Sequence, residues 1–305
     1  MNRVSVIGSI NMDMIISVDS MPKVGETIFS NNFKLAHGGK GANQAVAAKR
    51  LGNDVYMISK IGKDAYGTEI LESLKNENIN IDKIFKCEDK PTGTAVITVN
   101  KEGNNSIIVI PGSNMAIDVN EVQEAEKVIS ESDILVAQFE TSMNATIEAF
   151  KIAKENNVIT ILNPAPAKKI PDELLKYTDI IIPNETEAEL LTGIEVEDLE
   201  SAKKASEVFF EREVKYVIIT MGEKGAALIS KNKSELIPAY KVKAVDTTAA
   251  GDSFIGALTT KMNKGTIDFD NLIEAVKFGN KVSSIVVQRQ GAQPSIPYLS
   301  EVNHI

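Results

Sequence analysis

DILVAQFETSMNATIEAFKIAKENNVITIL, residues Asp133 to Leu162, decides the fold. Its first run, Asp133–Glu140, is apolar at nearly every position, as a strand covered on both faces should be. Asn144–Glu155 is amphipathic, and Val158–Leu162 returns to continuous β-branched and aliphatic residues. Strand, helix and strand in this order form a βαβ unit, two parallel strands joined by a right-handed crossover. The same rhythm continues outward on both sides. Strands are expected at Val4–Ile7, Asp54–Ile61, Asp179–Pro183 and Tyr216–Thr220. Helices are expected at Ala42–Leu51, Ala65–Asn76, Glu185–Leu191 and Ala202–Arg212, the last with Ala205, Val208 and Phe209 at helical spacing. The fold class is therefore α/β, a mainly parallel central sheet with helices on both faces.

Two regions interrupt the alternation. Residues 10–36 and 91–112 hold strand-like runs with no helix between them. Thr94–Val99 and Ser106–Ile110 flank Asn100-Lys101-Glu102-Gly103-Asn104-Asn105, a good hairpin turn. Both regions are expected in a small secondary sheet standing off the main one, with an antiparallel extension of the main sheet as the alternative. Ala227–Ile229, Ser234–Ile237 and Lys243–Val245 suggest antiparallel edge strands, and helices follow at about 251–263 and 270–288. No internal repeat or linker divides residues 1–305, which are expected to form one domain with an appended lid.

Composition narrows the chemistry. A chain of 305 residues, 43% hydrophobic, can bury a sizeable core. Its one cysteine, Cys87, excludes a disulfide framework and suits a reducing cytosol. With His37 and His304 the only histidines, a zinc site of the usual His/Cys type cannot be assembled, and a Ser-His-Asp triad is disfavoured. Proton transfer then falls to a carboxylate or a lysine. A formal charge of −9 and the lack of any basic run argue against nucleic-acid binding. Apolar runs break far short of the roughly 20 residues a membrane helix needs. Met1–Gly8 enters a strand directly, without a signal-peptide core, so a soluble cytoplasmic protein is expected.

In open parallel sheets, ligands bind beyond the carboxyl ends of strands. Val245-Asp246-Thr247-Thr248-Ala249-Ala250-Gly251-Asp252-Ser253-Phe254 reads as such an end: a strand stops, small residues turn the chain and a helix begins. Its unobstructed first-turn amides would form an anion site. Asp252 in that turn is placed to take a proton from an attacking hydroxyl, and phosphoryl transfer asks little more of a side chain. The plainer reading makes Asp252 a helix-start carboxylate favoured by the dipole. Phe33–Gln44, FKLAHGGKGANQ, fails the Walker A template because Gly41 follows Lys40. It also fails the dinucleotide fingerprint, because Gln44 stands where a third glycine belongs. Its glycines with Lys40 and Asn43 suit a polyhydroxylated ligand or a phosphate, or simply cap a helix. Asn11 and Asp13 share one face of an extended segment and suit adjacent sugar hydroxyls, unless they belong to a polar turn. Asn184-Glu185-Thr186-Glu187 reads best as a capping box, with a place near a metal-phosphate group as its functional reading. Thr220–Gly225 is a strand-end turn, Glu140 an isolated carboxylate ending a buried strand, and His37 a loop residue.

Taken in chain order, these segments resemble the ribokinase-like family of sugar and nucleoside kinases over essentially the whole chain. The motifs are Gly8–Asp13 (GSINMD), Pro22–Thr27 (PKVGET), Gly38–Ala45 (GGKGANQA) and Asn163–Pro166 (NPAP). They continue through Pro183–Glu189 (PNETEAE), Asp246–Asp252 (DTTAAGD) and Gly291–Ser295 (GAQPS). The resemblance implies a three-layer α/β/α fold whose β-sheet lid also pairs two subunits into a homodimer. It implies ATP-dependent phosphorylation of D-ribose at the 5-hydroxyl. Alternatives are a relative acting on another sugar or a nucleoside, or a sugar-binding pseudokinase. On this resemblance Asp252 is the base, and Ala249, Ala250 and Gly251 form the anion hole. Asn11, Asp13, Gly39, Lys40, Asn43 and Glu140 contact the sugar. Asn184, Glu187, Thr220, Gly222, Gly225 and Asn280 surround ATP and its magnesium, which Glu187 serves indirectly. Potassium, a monovalent activator, falls to Asp246, Thr248, Val286, Arg289, Gly291 and Ser295, several through backbone carbonyls. Asn280 stands where some relatives carry His, so no ring is available to stack on adenine.

Overall fold

The computed structural model describes residues 1–303, so His304 lies outside the described residues. The chain begins β1 (Arg3–Ile7), β2 (Asn11–Ser17), β3 (Asn32–Gly38), α1 (Lys40–Arg50), β4 (Asp54–Gly62), α2 (Ala65–Asn76) and β5 (Asn80–Cys87). It continues with β6 (Gly93–Val99), β7 (Asn105–Ile110), α3 (Val119–Glu124), α4 (Glu126–Ser130), β8 (Ile134–Ala137), α5 (Met143–Glu155) and β9 (Ile159–Leu162). Then come α6 (Asp172–Lys176), β10 (Ile180–Ile181), α7 (Glu185–Thr192), α8 (Leu199–Phe210), β11 (Tyr216–Thr220), β12 (Ala226–Ser230) and β13 (Ser234–Ile237). Three helices follow: α9 (Ala250–Lys261), α10 (Phe269–Val286) and α11 (Leu299–Asn303).

Nine strands form the main sheet in the order β13-β12-β11-β10-β9-β8-β1-β4-β5. Every pairing from β5 across to β11 is parallel, and β12 and β13 close one edge antiparallel. Alternation along each strand divides the core. Val4, Val6, Ile134 and Val136 pack with Val46 of α1, Ile70 of α2, Phe254 of α9 and Leu272 of α10. Ile7, Leu135 and Ala137 face the other way, onto Phe150 of α5 and Phe209 of α8. The result is three layers, helix, sheet and helix, built by the period-2 geometry of strands. Among the described residues no helix is long and apolar enough to cross a membrane.

The chain leaves β1 toward β4 and β5, and later returns to place β8 on its other side. This reversal of direction opens a crevice beyond the carboxyl ends of β1 and β8, the place where such sheets bind ligands. A second sheet, in the order β3-β2-β6-β7, stands apart. Its last strand is exposed along its whole length, so Ile107, Ile108, Val109 and Ile110 all meet solvent.

Several expected elements change: Asp133–Glu140 contracts to Ile134–Ala137, which leaves Glu140 in the turn beyond β8. Lys243–Val245 is no strand, because the Val245 and Asp246 amides both donate to the Val287 carbonyl, at 2.7 and 3.1 Å, and find no ladder. Asp179–Pro183 contracts to Ile180–Ile181. The Asp179 carboxylate instead takes the Thr160 amide at 3.1 Å and pairs with Lys154 and Lys215, each at 2.7 Å. β5 has no counterpart among the expected strands; it is a half-buried edge strand whose Asp82, Lys83 and Lys86 disguise its apolar face. Helix α1 starts at Lys40, two positions before Ala42, which brings Lys40 into its first turn.

Candidate active site

The crevice is built on a close backbone crossing. A Cβ on Gly41 would lie 2.6 Å from the Gly8 carbonyl carbon, so only glycine lets the start of α1 seat on the end of β1. Gly39, with φ 89, precedes the helix. Around this crossing, Ser9 Oγ donates to Glu140 Oε2 at 2.5 Å, and the Lys40 amide donates to the same oxygen at 3.2 Å. Asn11 and Asp13 enter from the first two turns of pleat in β2. Asn114 Nδ2 donates to Asn11 Oδ1 at 2.8 Å, which fixes that amide with its N–H groups turned elsewhere. Asp13 Oδ1 and Asn43 Oδ1 are buried acceptors without a donor. Buried and unpaired acceptors cost about 1–3 kcal/mol each, so both suit the hydroxyl groups of a ligand.

Charge concentrates here. Burial pushes the Asp13 carboxyl up to about 7, helped by the nearby Glu140 and Asp252 carboxylates. For Lys40, burial works against the charge, but Asp252, Glu140 and Glu187 outweigh it and raise the ammonium above its usual value. A lysine among three carboxylates stays charged.

Asp252 sits in the first turn of α9 and is buried. Asn43 Nδ2 donates to its Oδ2 and Gln44 Nε2 to its Oδ1, both at 3.0 Å. Ala249 precedes the helix in the left-handed conformation, φ 60 and ψ 10, and no side chain caps the turn. Left-handed backbone costs a residue other than glycine roughly 1–2 kcal/mol, strain of the kind that gathers at functional sites. A Cβ built on Gly251 would meet nothing within 4 Å, so this turn faces open space. That space is a cleft of about 200 Å³ bordered by Lys40, Asn184, Glu187, Thr220 and Ala249–Asp252. A larger hollow of about 630 Å³ lies at the opposite ends of the strands, beside Lys154, Asp179 and Lys215, and holds none of the expected site residues.

On the far side of the cleft, Asn184 and Glu187 form the expected capping box. Asn184 Oδ1 accepts from the Glu187 amide at 2.7 Å, and Glu187 Oε2 accepts from the Asn184 amide at 2.9 Å. Burial raises the Glu187 carboxyl; the Asn184 amide and Lys40 oppose this, while Asp252 adds to it. Asn184 bridges to Thr220 at the end of β11, and Gly222 and Gly225 turn the chain after it. Asn280 packs on the same backbone as that turn, since a Cβ on Gly225 would meet the Ile237 carbonyl oxygen. Its Nδ2 donates to the Ile237 and Pro238 carbonyls at 3.0 and 3.1 Å, tying α10 to the segment after β13.

The six residues of the monovalent-cation set are brought together in part. Asp246 Oδ1 accepts from the Thr248 amide at 2.9 Å and hydroxyl at 2.6 Å, while Oδ2 accepts from the Gly291 amide at 2.8 Å. These contacts lower the Asp246 carboxyl against burial, which would raise it. Arg289 Nη1 reaches the Ser295 carbonyl at 3.4 Å, and its amide donates to Val286 at 3.0 Å. Among the described residues, no group of three or more His, Cys, Asp or Glu side chains could hold a metal ion. The sequence alone did not single out Gln44 as a partner of Asp252. It lies inside the glycine-rich motif, where spacing marks it only as the place of a missing glycine.

The pfkB family carbohydrate kinase model matches residues 1–299. The chain is 48% identical over 305 residues to a ribokinase of Staphylococcus aureus (strain COL), covering 100% of this chain and 99% of that one. It is 38% identical over 304 residues to a ribokinase of Mus musculus, covering 98% of this chain and 93% of that one. The structure of an Arabidopsis thaliana ribokinase complexed with ribose and ATP is similar, with a TM-score of 0.92 and 33% identity, covering 99% of this chain and 98% of that one. Matched from residue 1 to residue 299 by that model, and alike over its full length to these ribokinases, the chain belongs to the pfkB family of carbohydrate kinases.

Proposed function

We propose that the chain transfers the γ-phosphoryl group of ATP to the 5-hydroxyl of D-ribose, giving ribose 5-phosphate and ADP. One observation carries this. Asp252 stands at the border between the unpaired acceptors Asp13 and Asn43 and the open first turn of α9. A sugar filling the first region would donate hydroxyls to Asp13 and Asn43 and accept from Asn11 and Lys40. The Asp252 carboxylate takes the proton of the reacting hydroxyl as its oxygen bonds to the γ-phosphorus, and the bond to the ADP oxygen breaks. The amides of Ala249 and Gly251, with the helix dipole, stabilise charge developing on the transferred group; the Ala250 amide donates to the Thr247 carbonyl at 3.2 Å and joins them only by releasing it.

Magnesium bound with ATP would supply charge neutralisation on the phosphates. Glu187 fits it at second hand, because Asn184 engages Oε2 and leaves Oε1 to orient metal-bound water. Asp246, Thr248 and the carbonyls of Val286, Arg289, Gly291 and Ser295 would offer potassium oxygen ligands alone, as carbonyl-lined sites for that ion do. The second sheet serves as a lid over the sugar and, through exposed Phe33, Leu35 and Ile107–Ile110, as a homodimer interface. Cytoplasmic residence accords with the free, buried Cys87 and with ATP as substrate.

The test is ADP release with ribose, deoxyribose, fructose and adenosine, each with and without potassium. Ribose should give the highest kcat/KM, and potassium should raise it. A higher value for another acceptor would move the assignment to that acceptor. Ribose binding by calorimetry without ADP release would leave a sugar-binding protein.

A further inference from the structure

We infer that Gln44 and Gln138 form a buried relay that orients the Asp252 carboxylate, and that they act as positioning residues for phosphoryl transfer. This rests on the assignment of Asp252 as base. Gln44 is the residue after Asn43 on α1 and is fully enclosed, as is Gln138 just past β8. Gln44 Nε2 donates to Asp252 Oδ1 at 3.0 Å and to Asn163 Oδ1 at 3.3 Å. Gln138 Nε2 donates to Gln44 Oε1 at 2.6 Å. Asn163 is fixed in turn, because its Nδ2 donates to the Ile182 carbonyl at 2.9 Å.

An amide can be read two ways round, and the chain of contacts permits one. Gln44 Oε1 turned toward Asp252 would set two acceptors against each other and leave Gln138 Nε2 facing a donor. Asp252, which only accepts, and Gln138 thus agree on one direction for Gln44, and Gln44 with Asn43 holds the plane of the carboxylate, while Gln138 Oε1 is buried without a partner. A Cβ on Gly8 would lie 2.1 Å from Gln138 Oε1, so the glycine just after β1 gives Gln138 its place. Neither glutamine borders the cleft, so the relay acts on catalysis through Asp252 rather than on substrate binding. Misplacing a catalytic group by about 1 Å can cost roughly a hundredfold in rate, since positioning contributes a large share of it.

The experiment compares Gln44→Met and Gln138→Glu with the intact enzyme and with Asp252→Asn. Gln44→Met keeps length and removes the donor. Gln138→Glu keeps volume and offers Gln44 an acceptor, which reverses the relay. Each should lower kcat by about 10–100-fold, while ribose and ATP dissociation constants from calorimetry stay within about threefold. A merely structural role would show instead as weaker binding in step with kcat. The inference is overturned if kcat stays within about threefold in a folded variant, or if ribose affinity falls as far as kcat. Should Gln44→Met not fold, Gln138→Glu decides. An active Asp252→Asn would remove the base assignment itself, whereas an inactive one beside a fully active Gln44→Met removes the relay alone.

Discussion

Asp13→Asn should make the protein more stable and less able to bind its sugar, by an amount that depends on pH. Burial and the Glu140 and Asp252 carboxylates raise the Asp13 carboxyl from 3.8 to about 7 in the folded chain. Below about pH 4 both folded and unfolded chains hold the proton, and the group costs nothing. Between pH 4 and 7 the unfolded chain ionises while the native one stays protonated, so stability falls as pH rises. Above pH 7 both are ionised and the penalty is constant. At about 1.4 kcal/mol for each pH unit between the two values, it reaches at most about 4 kcal/mol. Solvent at the partly exposed edge of Asp13 trims that figure to about 2–4 kcal/mol. Asparagine has nearly the same size and never ionises, so the variant recovers this energy.

With an unfolding entropy of roughly 2.1 cal/mol/K per residue, 305 residues give about 0.6 kcal/mol/K and a rise in Tm of about 3–6 °C at pH 8. At pH 5 the gain should fall to about a third of that, and near pH 3 it should vanish. Thermal unfolding of both proteins across this range measures it. Ribose at a hundred times its Kd should protect the wild type by about 2.7 kcal/mol and the variant hardly at all. A gain equal at pH 5 and pH 8, or a loss at pH 8, would refute the account of Asp13.

Asp252→Asn should fold normally and lose about 10²–10⁴-fold in kcat, read by ADP release; near wild-type turnover would remove it as base. Gly251→Ala should raise Tm slightly, because alanine favours a helix by roughly 0.5–1 kcal/mol over glycine. Its methyl enters the cleft, so kcat/KM for ATP should drop at least tenfold, and an unchanged value would show that the phosphoryl group passes elsewhere. Ile108→Asp on the exposed strand β7 should convert a dimer to a monomer in sedimentation at micromolar concentration; a dimer that persists places its interface elsewhere.

The main sheet was legible because buried parallel strands leave continuous apolar runs, and Val4–Ile7 or Tyr216–Thr220 offer nothing else to read. β5 was not, since an edge strand keeps one face wet and its lysines blur the pattern. Lys243–Val245 misled for the opposite reason: Val242, Ala244 and Val245 among lysines are locally strand-like, but the Val287 carbonyl captures the Val245 and Asp246 amides. At the site, Asp252, Asn43, Lys40 and Asp13 could be singled out because each stands beside glycines or a strand end. Gln44 could not be assigned its part. Its partners Gln138 and Asn163 lie 94 and 119 positions away, and no spacing within one segment reveals a contact of that range.

The connection between the two sheets sets how the site can be altered. β1 ends in the main sheet at Ile7 and β2 enters the second sheet at Asn11, with only Gly8, Ser9 and Ile10 between them. Asn114 grips this passage from the other side, receiving the Ile10 amide at 2.9 Å and donating to the Ile10 carbonyl at 3.1 Å. The two sheets are arranged like the jaws of a caliper, joined here and again where β3 passes into α1 between Gly38 and Lys40. One carries Asn11 and Asp13, the other is fixed to Asp252, and the pin lies within a few residues of both. A small rotation about that pin would change the span between sugar-gripping and proton-accepting groups without disturbing either set. Acceptors of different ring size could then be accommodated by resetting the jaw, leaving the phosphoryl half untouched.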